Sequence, residues 1–214
     1  MNQVVESRPQ TVAGAADTGG AAKAADAAKP VVSPQRLAHV VMRSSQFDAL
    51  IEWYKTVLGA KLVFSGRGLA FLAYDEEHHR IAIIDVPGLA PQPAGIAGVH
   101  HIAFTYASLG ELIETYERLE AAGIRPVWCT NHGPTTSMYY ADPDGNQVEL
   151  QVDNYPTVEE AGEFFFSQAF ATNPIGVDFE PADLARRVRA GEADASIKRR
   201  PDSGARGVDT IKLR

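Results

Sequence analysis

At 214 residues, 45% hydrophobic and 22% charged, the chain suits one soluble globular domain with tails and is long enough to bury a sizeable core. A formal net charge of -7 argues against nucleic-acid binding, and a single cysteine, Cys129, excludes an internal disulfide and fits a reducing cytoplasm. No apolar run approaches the ~20 residues of a membrane helix, and the N-terminus lacks the basic-then-apolar order of a secretory leader.

Residues 1–34 are rich in Ala, Gly, Ser and Thr and poor in large apolar side chains. Such a segment cannot offset its ordering entropy by burial, and it reads as a disordered tail. Order is expected from Gln35. Residues 37–42 (LAHVVM) read as a strand, and Phe47, Leu50, Ile51, Tyr54, Val57 and Leu58 then recur at helical spacing. Ser45 with Asp48 predicts a capping box, and Gly59 ends the helix. Three strand-like runs follow at 60–64, 69–74 and 80–85.

The same order then returns. Residues 99–105 (VHHIAFT) read as a strand, Leu109, Leu112, Ile113, Tyr116 and Leu119 as a helical stripe, with Ser108 and Glu111 as its capping box and Gly123 as its stop. Strands are predicted at 124–129, 136–141 and 146–152. The fold class is therefore α+β: two βαβββ repeats, at about 36–86 and 98–152, forming a cup-shaped mixed sheet within a domain spanning 35–153. Residues 154–192 predict a helical extension, with Thr157 and Glu160 as a cap, Leu184 and Val188 on a second helix, and Gly191 as its end. Residues 193–214, with the Lys198-Arg199-Arg200 run, read as a polar flexible end.

All six histidines (His39, His78, His79, His100, His101 and His132) fall inside the repeat region. His39 and His101 occupy matching places in the first strands of the two units. Aligning DPDGNQVEL (142–150) with DEEHHRIAI (75–83) matches Glu149 with Ala82. Three of four symmetry-related positions thus carry metal-ligand types. Taken alone, a strand histidine is ordinarily a hydrogen-bonded structural residue and Glu149 ordinarily faces solvent. Their matched positions argue instead for one divalent metal held by His39, His101 and Glu149. Two imidazoles and a carboxylate with open positions suit non-haem Fe(II), with Mn(II) not separated by ligand type.

At these residues the chain resembles the vicinal oxygen chelate superfamily, which includes glyoxalases and bleomycin- and fosfomycin-resistance proteins, and within it the one-module type I extradiol ring-cleavage dioxygenases. The specific piece is TNHGPTTSMYYADPDGNQVE (130–149), whose His132, Met138, Tyr139, Asp142-Pro143, Gly145 and Glu149 fit that family's pattern. The resemblance implies an Fe(II) enzyme that cleaves a catecholic ring with O2 in aromatic compound degradation, 2,3-dihydroxybiphenyl being a candidate substrate. It implies His39, His101 and Glu149 as ligands, His79 as acid–base residue, and His132 and Tyr139 beside substrate. The neighbouring His78 competes with His79 for its role. It also implies self-association into a homo-oligomer. Two other readings stand beside it: another metal-dependent superfamily enzyme of glyoxalase or epimerase type, and a non-catalytic protein that binds a small aromatic molecule.

Overall fold

A computed structural model describes residues 30–90, 93 and 95–211. Most of the expected N-terminal tail, up to residue 29, lies outside the described residues. Among the described residues, the regular elements all fall within the unit Ala38–Arg214.

The first repeat comprises β1 (Val40–Ser44), α1 (Phe47–Leu58), β2 (Lys61–Gly66), β3 (Leu69–Ala73) and β4 (Ile81–Asp85). The second comprises β5 (His101–Thr105), α2 (Leu109–Ala121), β6 (Trp128–Asn131), β7 (Thr135–Ala141) and β8 (Gln147–Asp153). The βαβββ unit is therefore present twice. Each repeat closes its own mixed sheet, ordered β1-β4-β3-β2 and β5-β8-β7-β6, with β1/β4 and β5/β8 parallel and the other pairs antiparallel.

Each helix follows from its stripe. Leu50, Ile51, Tyr54 and Val57 bury one face of α1, and Leu109, Leu112, Ile113, Tyr116 and Leu119 bury one face of α2. Both stripes join a single core with Ile81, Ile83, Val148, Leu150 and Val152 from the sheets. Ser108 caps α2, accepting the Glu111 amide at 3.2 Å, while the Glu111 carboxylate accepts the Ala107 amide at 2.9 Å. At α1 the predicted Ser45–Asp48 box does not form. Gln46 takes the capping position, so Ser45 lies one residue outside, and Ser44 accepts the Gln46 amide at 2.8 Å instead. Gly59 ends α1 at φ 63°, as its stop role requires.

Three predicted strands start two or more residues later than expected. The partner β4 begins at Ile81, so pairing starts at Val40↔Ile81 and β1 covers Val40–Ser44 rather than 37–42. Likewise β5 begins at His101, opposite Gln147, rather than at residue 99. His39 thus precedes its strand and His101 opens its own, where both were expected at strand centres. In the run 124–129 the first backbone bond to β7 comes from the Val127 amide, to the Tyr139 carbonyl at 2.7 Å, and the strand starts at Trp128, because Pro126 has no amide to give the ladder.

The C-terminal extension holds α3 (Val158–Phe164), α4 (Gln168–Thr172), β9 (Val177–Asp178), α5 (Pro181–Arg189) and α6 (Asp194–Lys198). Thr157 caps α3 as predicted, accepting the Glu160 amide at 3.2 Å. The two residues of β9 add a fifth strand beside β6, which no period in so short a run could announce. The polar end beyond residue 192 differs from the flexible end expected. It carries α6, and Arg200 and Arg206 donate to backbone carbonyls of the second repeat and the extension. No helix among the described residues is long and apolar enough to cross a membrane.

Candidate active site around Glu149

The register of the two parallel pairs tests the repeat alignment directly. Val41 faces Ala82 across β1/β4, and Ala103 faces Glu149 across β5/β8. His39 and His101 each stand two residues before these matched positions, so they are equivalent in the fold. The equivalence runs on into the next strands: Phe71 opposes Ala82, and Tyr139 opposes Glu149. Alternation then assigns the faces. Val148, Leu150 and Val152 enter the core beneath α2, and Gln147, Glu149 and Gln151 point the other way.

Glu149 is 4% exposed, and an imidazole approaches each of its oxygens. His101 Nε2 lies 2.9 Å from Oε2, and His132 Nε2 lies 3.9 Å from Oε1. Burial pushes the Glu149 carboxyl up, but hydrogen bonds from His101 and the buried Ser137 hydroxyl, with the nearby imidazoles, outweigh it and leave the pKa lowered. Glu149 is therefore a carboxylate at neutral pH. His132 also hydrogen-bonds the Tyr139 hydroxyl at 2.8 Å through Nε2 and the Ile175 carbonyl through Nδ1. A carbonyl only accepts, so the neutral His132 ring carries its proton on Nδ1 and turns its Nε2 lone pair to the Tyr139 hydroxyl, whose proton Nε2 shares with the Glu149 carboxylate. Burial pushes the Tyr139 phenol well up, reinforced by Glu149, so it remains a donor. The Tyr139 ring stacks on Trp128 with centroids 4.7 Å apart.

His39 and His79 form a second group. Their ring centroids are 4.3 Å apart, and Phe71 lies 4.8 Å beyond His79. His78 turns outward, its side chain 71% exposed near Glu77. Of the two adjacent histidines, it is His79 that lies against His39. Desolvation, then the neighbouring His39 and His78, lower the His79 pKa.

The structure thus brings His101, Glu149, His132 and Tyr139 together, and His39 with His79. Among the described residues, no group of three or more His, Cys, Asp and Glu side chains is arranged to hold a metal ion. The donor chemistry nonetheless fits one: an ionised buried carboxylate with an imidazole nitrogen at hand, and a second imidazole at the equivalent position of the other repeat.

Several contributors were not singled out as site residues from the sequence. Ser137 supports Glu149, the Ile175 carbonyl sets the His132 ring, and Arg200 donates to the His132 carbonyl at 3.2 Å. Serine in a strand, a backbone carbonyl and an arginine in a polar end carry no motif that marks them. The Asp142 turn is structural: its carboxylate accepts from the Asn146 amide at 2.7 Å and from Tyr54 at 3.3 Å, tying the second repeat to α1.

The His132 environment has a consequence for stability. Burial lowers its pKa, against the smaller opposing pull of Glu149 and the Ile175 carbonyl. An unfolded histidine titrates near ~6.5, so just below that the unfolded chain binds more protons than the folded one. The stability linked to His132 is full above ~6.5 and is lost as pH falls through the lowered folded value. The metal-free chain is expected to show a lower urea midpoint at about pH 5.5 than at about pH 7.5, with the difference narrowed by His132→Asn.

A model of the Glyoxalase/Bleomycin resistance protein/Dioxygenase superfamily matches residues 36–150. The chain is 46% identical over 157 residues to Biphenyl-2,3-diol 1,2-dioxygenase 2 of Rhodococcus globerulus, covering 73% of this chain and 83% of that protein. It is 42% identical over 167 residues to Biphenyl-2,3-diol 1,2-dioxygenase 3 of the same organism, covering 77% and 88%. A solved structure of the fosfomycin resistance protein FosX from Listeria monocytogenes matches with a TM-score of 0.49 at 21% identity, covering 62% of this chain and 99% of that one. By the family match and by both dioxygenase relatives, the chain belongs to the glyoxalase/bleomycin resistance protein/dioxygenase superfamily.

Proposed function

We propose that this protein is an extradiol dioxygenase that opens a catecholic ring with O2, acting on 2,3-dihydroxybiphenyl or a related diol, at an Fe(II) or Mn(II) site. The observation that carries this reading is the buried Glu149 carboxylate, flanked by two imidazoles, in a chain 46% identical to a biphenyl-2,3-diol 1,2-dioxygenase. His39, His101 and Glu149 would hold the metal. In support, the strand register makes the two histidines equivalent and places Glu149 where the first repeat has Ala82.

A bound divalent metal would supply Lewis acidity and a common meeting point for the diol and dioxygen. The protein's own groups do the rest. A catechol must lose a proton to chelate through oxygen, and His79, with its lowered pKa, is a neutral base at physiological pH. A substrate hydroxyl could take the place of the Tyr139 hydroxyl as donor to the one lone pair of His132 Nε2. Tyr139, immobilised against Trp128, orients that lone pair. Leu62, Val63 and Phe64 of the edge strand β2 are 41%, 57% and 46% exposed, which supports the expected self-association.

Removing the Tyr139 hydroxyl tests the last role. Tyr139→Phe keeps the stacked ring and deletes one hydrogen bond to a group that changes charge character during turnover. A loss of about 10- to 100-fold in kcat, with KM changed much less, is the expected result of a steady-state assay.

The decisive experiment loads the protein with Fe(II) anaerobically and adds 2,3-dihydroxybiphenyl in air. The expected outcome is a yellow ring-opened product formed with matching oxygen uptake. Tightly bound iron with no product across a panel of mono- and bicyclic catechols would overturn the dioxygenase reading.

A further inference from the structure

Besides packing α5 on α2 and pairing β9 with β6, the C-terminal extension grips the second repeat at the His132 loop and the Trp128–Tyr139 stack. Its segment 173–176 is held rigid by Asn173, which is 2% exposed. The Asn173 side-chain carbonyl accepts the Ile175 amide at 3.0 Å and the Gly176 amide at 2.8 Å. Its amide nitrogen donates to the Gly176 carbonyl at 2.9 Å and to Ser203 at 2.8 Å. Three of these bonds close the turn that carries the Ile175 carbonyl, the group that accepts from His132 Nδ1, and the fourth ties Asn173 to Ser203.

Two arginines from the polar end complete the grip. Arg200 donates to the carbonyls of His132 at 3.2 Å, Asn173 at 2.8 Å and Ala169 at 2.8 Å, and it lies 4.9 Å over the Phe164 ring. One guanidinium thus ties the His132 backbone to the segment that binds its ring. Arg206 donates to the Gly176 carbonyl at 3.0 Å and to Asp178 at 2.7 Å. Asp178 in turn accepts from Trp128 Nε1 at 2.9 Å, and Trp128 carries the Tyr139 ring.

Close approach makes this possible. Gly176 sits at φ 127°, and a Cβ there would lie 2.5 Å from the Asn131 carbonyl oxygen and 2.9 Å from the His132 Cα. Gly133 is likewise filled from outside by the Phe164 ring. The His132 loop and the extension fit only because both positions lack a side chain.

We propose that residues 164–206 act as a positioning clamp that fixes His132 in the Nδ1–H tautomer and so keeps the Nε2 lone pair facing Tyr139, where a substrate hydroxyl could replace the Tyr139 donor. Arg200, Asn173 and Gly176 are its positioning residues. Without the Ile175 acceptor the ring can flip or exchange tautomers, and Nε2 would then carry a proton and could donate to the Tyr139 oxygen but no longer accept. The inference rests on the substrate role assigned to His132 above.

The test uses full-length, metal-free protein with 15N-labelled histidine, alongside steady-state cleavage of 2,3-dihydroxybiphenyl by the iron-loaded form. Wild type is expected to show His132 as one neutral tautomer protonated at Nδ1. Gly176→Ala and Arg200→Ala are expected to show a mixture of tautomers and a fall of about tenfold in kcat with KM within about twofold. Arg200→Lys, which keeps the charge and one donor, should recover part of both. A wild-type proton on Nε2 overturns the clamp whether or not the variants fold. Folded variants with an unchanged tautomer and unchanged kcat overturn it as well. If the tautomers behave as expected but no form cleaves any catechol, the clamp stands and the dioxygenase reading falls.

Discussion

Glu149→Ala is expected to abolish metal retention and ring cleavage while leaving the fold in place. The functional loss follows from removing the only carboxylate in the proposed ligand set, and with it the Lewis acidity the chemistry needs; a fall of about 10³-fold or more in kcat/KM is expected. Retention of the fold follows from the repeat. The first repeat already carries alanine at this register position, Ala82, 3% exposed and opposite Phe71 as Glu149 is opposite Tyr139. The strand geometry therefore accepts a methyl group here. The partners left behind do not become stranded charges: His132 is neutral, and the His101 side chain is 33% exposed, so water can replace the lost acceptor. Iron content after gel filtration should fall to background, with Tm changed by no more than about 4 °C. A variant that keeps stoichiometric iron would remove Glu149 from the ligand set. One that loses both iron and fold would show the carboxylate to be structural.

One residue along, the expectation inverts. Leu150 is fully buried and points beneath α2 into the core shared by both repeats. Leu150→Ala removes three buried carbons from the central pairing region of β8, between β5 and β7, where neighbouring backbone cannot collapse onto the cavity. A cost of about 2–5 kcal/mol is expected, or a fall of roughly 5–15 °C in Tm. Well below that lower Tm, metal retention and the His101–Glu149 pairing should persist, because the side chain faces away from them. Differential scanning calorimetry with iron analysis on the same sample checks both halves. A Leu150→Ala protein as stable as wild type would contradict the core assignment. One that folds but has lost iron would contradict the separation of faces.

These opposite outcomes at adjacent residues rest on period-two alternation, which is why the equivalent positions of the two repeats could be read in advance. The twofold βαβββ order came from stripes and turn residues. The matching of His39 with His101, and of Glu149 with Ala82, needed only counting along the repeat. The strand register reproduces both matches. Strand ends were less legible. Where β1 and β5 begin depends on where their parallel partners begin, a non-local fact that no window around His39 or His101 contains.

The sequence by itself determined the fold class, the symmetry and the residue types gathered in the second repeat, because each of these is written in local periodicity or in a fixed spacing. Only the tertiary structure decided which histidine meets which partner. It pairs His101 and His132 with Glu149, sets His79 rather than His78 against His39, and turns an apparently solvated basic end into the support of the His132 loop. The physical reason is that those outcomes depend on acceptors supplied from far along the chain. The Ile175 carbonyl and the Arg200 guanidinium reach His132 across 43 and 68 residues, and only a closed fold brings them there.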